Sequence, residues 1–185
     1  MSPHTGASMT TSTRFDEALE RLTRFVGERY GIRVTIREVA APAKGDLDGA
    51  EIVIGLDNDA ETRLFLLAHL FGHTVQWNTS AADRRLGMTR PVNPDAAMLD
   101  RLEAYEREAC AYSQQLFHEA GIPDLDGWLA DTSACDFAFL RHLYQTGERR
   151  SFAHFWREGT PHLKPLPIPP FVPRDWRNSA TPIVL

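Results

Sequence analysis

The chain is poor in sulfur, has little surplus charge and lacks any long apolar run, and each shortage removes a class of function. Its two cysteines, Cys110 and Cys135, are too few for a disulfide framework and too far apart in sequence for a C-x-x-C metal or redox pair. No apolar stretch approaches the roughly 18 residues that a membrane span requires. The net charge of −5 carries no basic excess that would draw the chain to nucleic acid or to an anionic membrane. Residues 1–13 are small and polar and lack the apolar core of a signal peptide. They are expected to form a disordered lead-in to a cytoplasmic protein with reduced thiols.

What remains is a chain of 185 residues, 43% of them hydrophobic, enough for one domain with a substantial core. Phe15, Leu19, Leu22, Phe25 and Val26 recur at helical spacing, which predicts a surface helix over 14–30 closed by Gly31. Two β-rich runs, 32–39 and 51–56, follow on either side of a turn-rich connection and are expected to pair like a hairpin. Asn58 or Asp59 can then cap a helix that is apolar nearly all round from Leu64 to Trp77, the pattern of a buried helix. Residues 80–94 read as a polar, basic surface loop. Asp95 to Ala120 form a long helix with the stripe Met98, Leu102, Tyr105, Ala109, Tyr112 and Leu116. A further helix over 124–146 carries a break near 131–133. The proline-dense end, 159–185, is expected to run extended and to pack along the body through Leu166, Ile168, Phe171, Val172 and Trp176. The fold class is α+β: a mostly helical domain over 14–158 with a small sheet of two to three strands.

The chemistry sits in the buried helix, at His69-Leu70-Phe71-Gly72-His73. Histidines four apart share one helix face about a turn apart, so both imidazoles can ligate one metal ion. Buried imidazoles also need partners, because an unsatisfied buried polar group is costly. In the zinc-hydrolase motif H-E-x-x-H, the residue after the first histidine is the glutamate that activates the hydrolytic water. Leu70 stands there instead. A third ligand is offered by the long helix in Glu103-Ala-Tyr-Glu106-Arg-Glu108-Ala. Glu106 and Glu108 flank its apolar stripe on opposite sides, and periodicity does not choose between them.

The run Arg63 to His73, with Glu106-Arg-Glu108-Ala-Cys110-Ala-Tyr112 on the next helix, resembles the ImmA/IrrE family of metallopeptidases over roughly residues 14–120. The resemblance implies a zincin-like, gluzincin-type domain in which zinc is held by His69, His73 and Glu108, with Tyr112 at the family's aromatic position. Cys110 stands where the family has asparagine. Three functions follow as expectations. One is a catalytically altered metalloenzyme in which Glu106 or Tyr112, or else His118, His142 or His154, acts as acid or base. Another is an inactive pseudo-peptidase serving as a binding or regulatory module; the third is an endopeptidase with an unconventional base. Two histidines and a carboxylate also suit Fe(II) or another divalent metal. The expected partner is a small-molecule or peptide substrate, or a protein, and neither nucleic acid nor a membrane.

Overall fold

The computed structural model describes residues 6–89, 91 and 94–177, with side chains from residue 13 onward. Five α-helices and a three-stranded mixed sheet make an α+β fold dominated by helix, as the sequence patterns require. Helix α1 (Gly6–Tyr30) buries Phe15, Leu19, Leu22 and Val26 and ends where Gly31 takes a φ of 68°, a left-handed turn open to glycine at little steric cost. Part of the expected lead-in, 6–13, thus belongs to this helix; residues 1–5, His4 among them, lie outside the described residues.

Strand β1 (Arg33–Arg37) lies parallel, not antiparallel, to β3 (Glu51–Gly55), so the two β-rich runs do not form a hairpin. The turn-rich connection between them contains a strand of its own. This is β2 (Gly45–Leu47), which pairs antiparallel with β3 and makes the sheet order β1-β3-β2. A run of Ala, Pro, Lys, Gly and Asp hides such a strand, because three residues are too few to show an alternating pattern.

Helix α2 (Ala60–Thr79) starts at Asp59, whose carboxylate accepts from the Thr62 backbone N–H at 2.8 Å. Every residue from Leu64 to Trp77 is buried, so the helix forms the axis of the fold, between α1, the sheet and α4. The expected surface loop after it is in part a helix, α3 (Ala81–Met88). Its start is capped by Ser80, and Leu86 points inward, which a reading weighted by its arginines overlooks. Helix α4 (Ala96–Glu119) is capped by Asp95. Helix α5 (Asp126–Thr146) runs unbroken through 131–133, because Thr132 returns its hydroxyl to the Trp128 carbonyl and Ser133 is buried.

The proline-rich end packs as expected. Leu166, Ile168, Phe171 and Trp176 lie on the core, and Phe171 stacks on Tyr30 at 5.8 Å. Asn78 accepts from the Arg174 backbone N–H and from the Trp176 indole, while Arg84 covers the Trp176 ring at 3.7 Å. Val172 is exposed, and residues 178–185 lie outside the described residues. Replacing Trp176 by alanine removes this anchor and is expected to cost about 2–3 kcal/mol, below the range for a fully buried tryptophan. Denaturant titration together with faster proteolysis within 160–177 would register the loss. Unchanged protection would show that the tail is held elsewhere.

Candidate metal centre

Three polar atoms converge between α2 and α4. His69 Nε2 lies 3.0 Å from His73 Nε2, and the Glu106 Oε2 atom lies 3.1 Å from His73 Nε2 and 3.3 Å from His69 Nε2. Both histidines are buried and Glu106 nearly so. His69, His73 and Glu106 thus lie close enough to hold one metal ion. Ligands 2.0–2.1 Å from a tetrahedral ion are separated by about 3.3 Å, so the trio needs almost no rearrangement to accept one.

The close approach of the two helices depends on Gly72. A Cβ built on it would lie 2.1 Å from the Ala109 carbonyl oxygen, so only glycine permits this contact. Ser113 secures the same seam by donating to the Ala68 carbonyl at 2.7 Å. His69 lies one turn before Gly72 and His73 directly after it, and Glu106 lies one turn before Ala109, so the seam brings all three together.

The surroundings orient the ligands. Gln76 donates its amide N–H groups to the Tyr105 carbonyl and to Glu108 Oε2, both of which only accept. Its carbonyl oxygen must therefore face His73 Nδ1, at 2.8 Å, and Nδ1 carries the proton. That leaves His73 Nε2 aimed at the centre, the nitrogen free to ligate a metal ion, with Nδ1 held by an outer hydrogen bond. Tyr105 stacks on the His73 ring at 4.6 Å and Phe65 on the His69 ring at 5.4 Å. Cys110 Sγ lies 3.6 Å from His69 Nδ1.

Electrostatics in the metal-free centre favour charge separation. Burial opposes ionisation of Glu106, yet the His73 and His69 imidazoles hold its carboxyl well below the usual carboxylate range. Burial likewise opposes the charge on His69, but Cys110 and Glu106 outweigh it and raise its pKa well above the ordinary value.

Of the residues singled out in the sequence, the structure brings His69, His73 and Glu106 together. Glu108, the ligand implied by the resemblance, lies two residues around α4 from Glu106 and engages Gln76 instead. Tyr112 packs in the main core, where burial raises its pKa, and no hydrogen bond or ring contact among the described residues ties it to the trio. His118 pairs with Asp126, and His142 and His154 pack around Phe155. Leu70 is fully buried, and a Cβ on Gly45 of β2 would come within 3.0 Å of its Cδ1 atom.

Comparison of the chain with protein families, curated proteins and solved structures gave no match. Among the described residues, no helix is long and apolar enough to cross a membrane.

Two residues near the trio were not anticipated. Gln76 was indistinguishable from a polar helix end. Asp136 of α5 left one signal, a lone acid in the apolar run Ala134-Cys135-Asp136-Phe137-Ala138. It is 5% exposed, its Oδ2 has no hydrogen-bond partner, and the charges of His69 and Glu106 are felt there. Burial first, then Glu106, pushes its pKa from 3.8 up to about 7, with His69 opposing.

A carboxyl whose folded pKa is raised keeps its proton longer in the folded chain. Stability is then lost as pH rises from about 4 to 7. For Asp136 in the metal-free protein the loss is on the order of 4 kcal/mol, at about 1.4 kcal/mol per pH unit. Asp136→Asn should remove that part of the slope, so the variant gains on the wild type across this window and keeps a constant lead above it. Urea midpoints at several pH values would test this, and parallel curves would refute it.

Proposed function

We propose that the chain binds one divalent ion, zinc in the first instance, through His69, His73 and Glu106, and that it is a catalytically altered metalloenzyme related to the ImmA/IrrE metallopeptidases. The observation that carries the reading is the convergence of three ligand atoms within 3.3 Å, with His73 turned by Gln76 so that its free nitrogen faces inward. A structural zinc site is normally closed by four protein ligands, whereas two histidines and one carboxylate leave a position for a substrate. A cavity of about 380 Å³, bordered by His73, Glu106, Tyr105 and Gly87, gives that position access to solvent. The bound ion would supply Lewis acidity, polarising a substrate oxygen.

The family's water-activating glutamate is replaced by Leu70, whose side chain closes the apolar layer against β2. Positioned proton transfer contributes about 10² to 10⁴-fold, so peptide hydrolysis by the family route is not expected. With Glu106 engaged as a ligand, an acid or base must come from another element. The burial of Leu70 equally favours a second reading, a pseudo-peptidase that keeps its metal and binds a protein or peptide.

Cobalt substitution separates the two. In the enzyme reading, the visible spectrum of the Co(II) protein shifts on adding azide, which enters the open position. A spectrum indifferent to azide would describe a saturated site and favour the binding module. Metal uptake should also displace the proton on His69. Affinity is then expected to rise with pH, by up to about tenfold per unit, until His69 is neutral in the metal-free protein. Titrations at three pH values that gave one affinity would contradict this coupling.

A further inference from the structure

A second cavity, of about 630 Å³, lies between α2, α5 and the segment after α5. Its size falls within the range of sites for small organic molecules, roughly 300–1,000 Å³. Phe65, Trp128, Phe139 and Trp156 line it with aromatic surface. Trp156 and Phe152, both on its wall, are exposed, so the cavity opens beside a small apolar patch of the kind that marks ligand grooves. Lys44 and Arg149 also border the cavity; both are exposed and neither has a carboxylate within ion-pair distance among the described residues. Arg150 adds a third cation, paired with Glu148, and the nearby Glu61 carboxylate is engaged by the Trp128 indole at 2.7 Å. Lys44 and Arg149 thus outnumber the one carboxylate, Glu61, that has no cation beside it, and the balance at the cavity is positive.

Asp136 lines the same cavity. Its side chain is more than nine-tenths buried and one carboxyl oxygen lacks any protein partner, so it can take a hydrogen bond from a molecule in the cavity. Phe65, another wall residue, stacks directly on His69. Aromatic walls, unpaired cations and an unsatisfied carboxyl beside the trio thus share one space.

We propose that this cavity binds a small aromatic carboxylate, its anionic group held by Lys44 and Arg149, its ring between Trp128, Phe139 and Trp156, and a hydrogen-bonding group at its far end on Asp136. The ligand class follows from the cavity alone. Its link to the metal centre, through Phe65 stacked on His69, rests on the metalloenzyme reading above. Asp136 then contacts the bound molecule and is the group placed to exchange a proton with it.

The probe is 6-hydroxy-2-naphthoate, which carries a carboxylate and a hydroxyl at opposite ends of a flat ring system, titrated calorimetrically into the full chain. Saturable one-to-one binding is expected, with the neutral 6-hydroxy-2-naphthamide at least fivefold weaker. Arg149→Ala and Trp156→Ala, both at exposed positions, should each weaken the naphthoate at least fivefold. 2-Naphthoate, lacking the hydroxyl, should bind several-fold more weakly to the wild type and equally to Asp136→Ala. No saturable binding, equal affinity for the amide, or binding untouched by Arg149→Ala and Trp156→Ala would overturn the proposal; a hydroxyl without effect would remove Asp136 from it. The titration is repeated on chelator-treated protein, with metal content measured separately. Probe binding in a chain that takes up no metal would uphold the pocket and sink the metal reading. A metal-loaded chain that ignores the probe would do the reverse.

Discussion

His73→Ala is expected to reduce metal binding from near one equivalent to none. The His73 nitrogen forms two of the three short edges of the trio, at 3.0 and 3.1 Å, and no other imidazole among the described residues lies close enough to replace it. The substitution also strips Gln76 Oε1 of its partner and removes the ring stacked on Tyr105, so some loss of stability accompanies it. Glu108→Gln supplies the contrast. Glu108 holds Gln76, and loss of such an outer partner typically costs 10–100-fold in affinity, not the site itself. Equilibrium dialysis against zinc, with circular dichroism to verify folding, separates the two effects. A folded His73→Ala chain that retains a full equivalent would remove the assignment.

Gly72→Ala should damage both the fold and the metal site. The added carbon would meet the Ala109 carbonyl oxygen at 2.1 Å and its carbonyl carbon at 2.6 Å. Both belong to α4 backbone, which cannot rotate out of the way as a side chain can. Overpacking a core costs typically 1–3 kcal/mol, and a clash between two helix backbones belongs at or beyond the top of that range. For a chain of this size, about 3 kcal/mol corresponds to a melting temperature lowered by roughly 6–12 °C. The relief available is for α4 to move away from α2, which carries Glu106 from the histidines. Metal affinity should therefore fall along with stability. A Gly72→Ala protein with wild-type melting and wild-type affinity would show that the seam does not position the site.

The same seam explains what could and could not be read from the chain. The buried α2 was legible because fourteen consecutive residues, Leu64 to Trp77, are inside, and a helix hydrophobic all round has few other places to go. The histidine pair was legible because its spacing is a property of one helix. The third carboxylate was not, since it depends on how α4 rotates against α2, and that rotation is set by Gly72 on Ala109 and Ser113 on Ala68. Glu106 and Glu108 sit symmetrically about the α4 stripe, so the choice is tertiary. Asp136 was harder still: it comes from α5, and one acid in an apolar run marks neither its partners nor its depth. In the sheet, β2 is too short for any periodicity to show, and missing it turned a parallel pair into an expected hairpin.

The most direct test is anomalous diffraction at the zinc edge from crystals of the zinc-loaded chain. One peak is predicted about 2.0–2.1 Å from His69 Nε2 and His73 Nε2 and within about 2.2 Å of a Glu106 oxygen, with Glu108 still on Gln76. A peak ligated by Glu108 with Glu106 turned away, or no peak at these histidines in protein shown to contain zinc, would contradict the account.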